Sequence, residues 1–360
     1  MSKIKKIFAA LSACGADAML VSTELNQRYI SGFDYSDGYI LVTQSKAYLL
    51  ADFRYIEAAR DEVKDTDVEV IMPKSGMLIE LAALISENSV KTLMIEDESL
   101  SCSARDRLAK SLEGTDLVFG ASKILNEMRQ IKDADELAKI IEAQKITDAA
   151  FTHILSMLSP EMTEIDVALE LEFFMRRNGA ESTAFDTIAV SGSASSMPHG
   201  VPRNKKLEKG FLTMDFGARY KGYCADMTRT VVIGRADGEM KKLYSTVLNA
   251  QLAALEMIGE GVCCFELDKC ARDIIYGAGY EGCFRHSLGH GIGMQCHESP
   301  RVAPSAQKDS RLVRGNVTSV EPGIYVLGKY GCRIEDLVAI DLDGTARNLT
   351  KSDKKLIELF

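Results

Sequence analysis

The sequence predicts a two-domain α+β protein, with a smaller α/β unit ahead of a larger mixed unit. Three observations predict it. The chain has 360 residues, more than one ordinary domain holds. Its first third interleaves short apolar strands with helical stretches, and it carries no histidine. Four of the five histidines, at 199, 286, 290 and 297, fall in the remainder among paired acidic residues.

In the first third the pattern reads as a helix near residues 2–13, a strand at 18–21 and a hairpin of 38–43 with 47–51. A helix at 55–64, a strand near 68–71, a helix near 79–87 and a strand at 92–95 follow. Helices and short strands in alternation are α/β patterning. A boundary near 120–132 separates an N-terminal domain, 1–125, from a second domain, 126–360. From Asp133 onward Leu137, Ile140, Ile141, Ile146, Ala149 and Phe151 recur at helical spacing. A second helix at 164–178 is capped by Thr163 and kept apart from the first by Pro160. Strands follow near 184–190, 211–217, 223–233, 317–326 and 331–340, with helices near 239–257 and 266–278. No internal repeat stands out.

Composition narrows the function classes. Hydrophobic residues at 46% and charged residues at 26% are ordinary for a soluble chain. A formal net charge of -9 argues against non-specific nucleic-acid or anionic-membrane partners, both of which need a positive field. The nine cysteines form no C-x-x-C pair, so reduced thiols and a cytoplasmic location are expected. Leu11-Ser-Ala-Cys14 after Lys6 looks superficially like a lipoprotein cleavage box. The apolar stretch before it is at the lower limit for such a signal, and Ile4, Ile7, Phe8 and Leu11 are spaced as on a helix, which is the expected reading. No run of 18 apolar residues is present to form a spanning helix.

The chemistry lies in two acidic hairpins. Residues 211–230 fold naturally about a centre between Tyr220 and Lys221, which would set Asp215 opposite Asp226. Reflection of residues 320–336 about Gly328 sets Glu321 opposite Glu335. Carboxylates about 5 Å apart across two strands repel unless a cation joins them. Any one acid is more often a solvated surface group; two such pairs in apolar strands point to one buried centre. His290 sits in Gly289-His-Gly-Ile-Gly293, where glycines let the backbone approach a ligand closely. Four carboxylates and one imidazole are an oxygen-rich set suited to two divalent ions such as Mn2+ or Co2+. Hydrolysis by activated water is then the natural chemistry, since no G-x-S-x-G elbow offers a serine nucleophile.

These residues are carried by motifs that resemble those of the pita-bread metallopeptidases. The motifs are Met214-Asp-Phe-Gly217, Gly222-Tyr-Cys-Ala-Asp-Met-Thr-Arg-Thr230, His286-Ser-Leu-Gly-His-Gly-Ile-Gly293, His297-Glu-Ser-Pro300, Val320-Glu-Pro-Gly-Ile-Tyr325 and Arg333-Ile-Glu-Asp336. Ser31-Gly32 and Asp52-Phe-Arg-Tyr55 look like the prolidase and Xaa-Pro aminopeptidase branch. The resemblance implies a C-terminal pita-bread (creatinase/aminopeptidase) fold behind a creatinase-like N-terminal domain. It also implies five metal ligands, Asp215, Asp226, His290, Glu321 and Glu335, holding two divalent ions, Mn2+ first and Co2+ or Zn2+ as alternatives. By the same resemblance Asp226 and Glu335 bridge both ions. His199, His286 and His297 line the substrate, with His297 stabilising the oxyanion. Glu321 shuttles a proton, Arg333 orders the acids, and Thr228 touches Asp226.

The expected activity is removal of the N-terminal residue from short Xaa-Pro peptides by a homodimer, an Xaa-Pro aminopeptidase. The alternatives are, in order, an Xaa-Pro dipeptidase, a methionyl-type aminopeptidase and a pita-bread binding protein without chemistry. A dipeptidase needs a group that grips the free carboxylate of proline, and no single residue in the sequence settles that point.

Overall fold

The computed structural model describes residues 2–360, which divide into two units, one ending at Met128 and the other spanning Arg129–Phe360. The first unit runs α1 (Lys3–Cys14), β1 (Ala18–Val21), α2 (Glu24–Ser31), β2 (Tyr39–Thr43), β3 (Ala47–Leu50), α3 (Ile56–Glu62) and β4 (Val68–Ile71). It continues through α4 (Met77–Glu87), β5 (Thr92–Ile95), α5 (Cys102–Ser111) and β6 (Asp116–Phe119), and the boundary falls near the end of α6 (Ala121–Gln130). The Ser2 side chain accepts from Lys5 N to start α1, and Gly15 in the left-handed region ends it. Ile4, Ile7 and Leu11 bury the apolar face between those caps. The six strands form one mixed sheet in the order β4-β3-β2-β1-β5-β6.

Sequence patterning does not reveal α2, α5 or β6, and for α2 the reason is physical. Its inward face is polar: Asn26, Gln27 and Ser31 are buried. Buried Glu96 accepts from Thr23 N at 2.8 Å, Thr23 Oγ1 at 2.7 Å and Asn26 Nδ2 at 2.5 Å. A helix whose buried side is hydrogen-bonded shows no apolar period.

The second unit begins with α7 (Ala134–Met157) and α8 (Glu164–Arg177), both started by capping boxes at Asp133 and Thr163. Then come β7 (Ser182–Thr183), β8 (Ile188–Ser191), β9 (Gly210–Phe216), β10 (Ala218–Tyr220), β11 (Tyr223–Cys224) and β12 (Met227–Ile233). A second helix pair, α9 (Gly238–Met257) and α10 (Cys264–Gly277), precedes β13 (Gly289–Gly291), β14 (Glu298–Val302), β15 (Val317–Val320) and β16 (Gly323–Val326). Last are β17 (Tyr330–Arg333), β18 (Asp336–Ile340), β19 (Ala346–Asn348) and β20 (Glu358–Leu359).

This order repeats itself. Residues 151–180 and 251–280 pass through the same helix end, break, bridge and helix, position for position. Each helix pair leads into a sheet, β20-β12-β9-β8 after the first and β14-β13-β15-β18-β19 after the second. The sequence reading found no repeat because apolar side chains substitute freely at matched buried positions, as Leu171 does for Ala271. Each half supplies one acidic hairpin.

Three long strands expected from sequence are each broken in two, and the breaks fall at the acids. Asp226 lies between β11 and β12, Glu321 between β15 and β16, and Glu335 between β17 and β18. Pro322 has no N–H to give the ladder, which accounts for one of these breaks. Among the described residues no helix is long and apolar enough to cross a membrane.

Candidate metal centre

The first hairpin corrects the expected pairing. Asp215 on β9 faces Thr228 on β12, not Asp226. The turn is Lys221-Gly222, with both residues in the left-handed region at φ 46° and 85°. That is the backbone of a two-residue hairpin turn, for which Asn-Gly is the usual sequence signal; lysine in the first place conceals it. Moving the centre one position shifts the pairing by two, so the face is kept and Asp226 becomes the diagonal neighbour of Asp215. In the second hairpin one register holds on both sides, Val320 opposite Asp336 and Gly323 opposite Arg333. Glu321 and Glu335 therefore occupy facing positions between those pairs.

All five candidate ligands line one cleft of about 440 Å³, together with His199, His286, His297 and Arg333. His290 stands on β13 between two glycines that the packing requires: a Cβ on Gly289 would meet Ser319 O at 2.0 Å, and one on Gly291 would meet Ser299 O at 2.0 Å. His290 Nδ1–H donates to Gly291 O at 3.1 Å, which leaves Nε2 facing Glu321 Oε1 at 3.2 Å and Asp226 Oδ2 at 3.7 Å. A ring held this way offers one nitrogen to a cation.

Around the acids the hydrogen bonds form a chain. Arg333 donates to Asp215 Oδ2 at 2.5 Å, to Thr228 Oγ1 at 2.8 Å and to Tyr325 OH at 2.6 Å. Thr228 Oγ1–H passes on to Glu335 Oε2 at 2.7 Å. Thr228 thus touches Glu335 rather than Asp226, a second correction. Ser319 Oγ–H donates to Glu321 Oε1 at 3.0 Å.

What the chain leaves undone points to cations. Asp215 Oδ1, Asp226 Oδ1 and Glu335 Oε1 are buried without a hydrogen-bond partner, and among the described residues no other carboxylate oxygen is. Burial first, then repulsion from Asp215, holds Asp226 well above the usual carboxylate range. Burial and the Asp226 charge do the same to Glu335. Unpaired buried oxygens on repelling acids are costly. Divalent ions remove both costs, so the residues present fit them. Asp226, His290 and Glu335 already bring one donor atom each to within 4.8 Å of one another.

His297, just ahead of β14, is exposed, and its ring lies 4.2 Å from that of His290. Partial desolvation on its cleft side, then the neighbouring His290, lowers its pKa. His286 Nε2 meets Tyr325 OH at 3.1 Å, and burial lowers its pKa as well. His199 follows Pro198, whose carbonyl accepts from Arg333 Nη1 at 3.4 Å. Among the cleft residues that the sequence does not single out, two bear on its chemistry. Cys296 is buried and its Sγ–H donates to Asp226 Oδ2 at 3.2 Å. Arg301, on β14, is the cross-strand partner of His290. A lone cysteine and a single surface arginine gave no signal in the sequence.

The chain was compared with known proteins. Residues 3–131 match the Creatinase/Prolidase N-terminal domain and residues 138–341 match Metallopeptidase family M24. The Xaa-Pro dipeptidase of Pyrococcus horikoshii is 37% identical over 99% of this chain and 98% of its own. Among solved structures, an Xaa-Pro dipeptidase from Bacillus anthracis is 38% identical with TM-score 0.94, covering 99% of each chain. An X-Pro aminopeptidase from Thermotoga maritima is 38% identical with TM-score 0.89, covering 96% of this chain and 98% of that one.

Proposed function

The chain belongs to metallopeptidase family M24, and from that premise we propose that it is an Xaa-Pro dipeptidase, hydrolysing dipeptides to release free proline. The family assignment carries metal-dependent exopeptidase chemistry and the two-domain fold with a creatinase-like first domain. The choice of dipeptidase over the expected aminopeptidase rests on Arg301. Directly paired residues on neighbouring strands project to the same face, so Arg301 emerges beside His290 into the cleft it helps to line. No carboxylate among the described residues forms an ion pair with its guanidinium. A cation free at the mouth of an acidic cleft is the group a prolyl carboxylate requires, and a guanidinium binds it bidentately. Two of the three relatives named above are dipeptidases, which supports the same reading.

In this reading Asp215, Asp226, His290, Glu321 and Glu335 hold two divalent ions, with Mn2+ the best fit to an oxygen-rich set and Co2+ or Zn2+ as substitutes. Such ions supply Lewis acidity and lower the pKa of water. The chain's own groups do the rest. Glu321, steadied by Ser319, carries the proton from the attacking water to the leaving prolyl nitrogen. His297 donates to the developing oxyanion. His199 and His286 form the walls against which the dipeptide lies, and Arg333 fixes Asp215. The histidine-free first unit is assigned to homodimerisation.

A length series decides between the two peptidase readings. Xaa-Pro dipeptides should be cleaved efficiently, and Xaa-Pro amides and tripeptides poorly. Arg301→Met should raise KM for the dipeptide by about 10- to 100-fold with kcat little changed. Tripeptides cleaved as fast as dipeptides by the wild type would return the assignment to an aminopeptidase.

A further inference from the structure

Cys296 is the one thiol that lines the cleft. It does not stand alone there. Single donor atoms of Cys296, His290 and His297 lie within 4.8 Å of one another. Beside them Asp226, 5% exposed, keeps Oδ1 without a partner while its Oδ2 receives the thiol. Two imidazoles and a sulfur form a donor set of different character from the adjoining carboxylates. Thiolate and imidazole select zinc and other thiophilic ions, whereas carboxylates select manganese.

We propose that Cys296, His290 and His297 form a second, overlapping metal site that captures a thiophilic divalent ion, Zn2+ in particular, in competition with the hard ions of the carboxylate cluster. A tetrahedral zinc ion sets sulfur and nitrogen donors about 3.5 Å apart, so donor atoms now within 4.8 Å of one another need to close by up to about 1.3 Å, a movement to which exposed His297 contributes by rotation. Binding replaces the S–H bond of Cys296 by an S–Zn bond, and the proton leaves to solvent; no electron is transferred. Since His290 serves both sets, occupancy of one withdraws a ligand from the other. Zinc at this position is therefore inhibitory, and the enzyme's activity follows the ratio of zinc to manganese around it. The inference rests on the metal reading of the cleft but is separable from it, because it concerns a sulfur ligand that the carboxylate cluster does not use.

Cobalt reports the ligand directly. Full-length protein titrated with Co2+ should develop the near-ultraviolet absorption of a thiolate–cobalt bond. Cys296→Val, which removes the sulfur and keeps an apolar side chain, should lose that absorption, and Cys224→Ala, altering another buried thiol, should keep it. In competition dialysis against Mn2+, Zn2+ should bind the wild type about tenfold or more tightly than Cys296→Val, with Mn2+ affinity changed by less than about threefold. Absorption that persists in Cys296→Val, or is absent from a wild type that does bind cobalt, overturns the sulfur site and leaves the carboxylate centre standing. A folded wild type that binds neither Co2+ nor Mn2+ overturns both. Should Cys296→Val be insoluble, Cys296→Ser serves the same comparison, and retention of the absorption there is equally refuting.

Discussion

Replacing Thr228 by valine removes one hydroxyl and almost no volume, and the structure allows its cost to be worked out. That hydroxyl is fully buried, accepts from Arg333 Nε at 2.8 Å and donates to Glu335 Oε2 at 2.7 Å. Hydrogen bonds to charged groups contribute about 1.5–3 kcal/mol each, so losing both costs about 3–6 kcal/mol. The deficit then divides. Glu335, whose other oxygen already lacks a partner, loses its remaining donor and its fixed orientation. Loss of a partner that orients a metal ligand weakens metal binding by about 10- to 100-fold. Calorimetric titration of metal-free Thr228→Val with Mn2+ should show that weakening, and urea unfolding should show a stability loss of about 3 kcal/mol or more. Thr228→Ser keeps the hydroxyl and should recover metal affinity to within a few-fold. Thr228→Val with wild-type metal affinity and wild-type stability would refute the claim that this threonine couples Arg333 to the acids.

Three further expectations follow from the same geometry. In protein loaded with Mn2+ alone, His297→Gln should lower kcat by about 10²-fold while manganese content stays at the wild-type level by atomic absorption, whereas His290→Ala should lose manganese; manganese loss from His297→Gln would make it a ligand of the carboxylate centre rather than a catalyst. Metal uptake should depend on pH, because burial and the neighbouring acids raise the pKa values of Asp226 and Glu335 in the metal-free protein. Their folded-state protonation is favourable at low pH and is lost as pH rises through the raised pKa values, so metal-free stability falls with pH while Mn2+ affinity and the Tm gain on adding Mn2+ rise; equal Tm gains at pH 5.5 and 8 would count against it. Light scattering of the active protein should find a dimer, and a monomer at micromolar concentration would reject the role given to the first unit.

The parts of this molecule that sequence reveals are those governed by apolar period and by local caps. Thr163 and Asp133 mark the starts of α8 and α7 because a cap is a short-range bond between neighbours. The acids were legible too, since a carboxylate in an apolar strand conflicts with its surroundings. Their pairing was only half legible: Glu321 and Glu335 hold the register reflection gives, while Asp215 does not, because Lys221 adopts a backbone normally reserved for asparagine or glycine. Thr228 was expected against Asp226 and in fact reaches Glu335, a contact across 107 positions that no local rule encodes. Arg301 and Cys296 were silent for a similar reason. Arg301 acquires its meaning from the irregular β13–β14 pairing that sets it beside His290, and Cys296 from its approach to Asp226, 70 positions away.

The distance between the two acidic hairpins also orders events during synthesis. A ribosome adding about 5–20 residues per second needs about 5–20 s to cross the interval from Thr228 to Glu335. Throughout that interval Asp215 and Asp226 exist without Arg333, without His290 for much of it, and without the second pair of acids. A growing chain can pair β9 with β12 but has no complete cage to offer an ion. On the proposed ligand set, metal selection would wait until translation has passed residue 335 and fall to the finished domain.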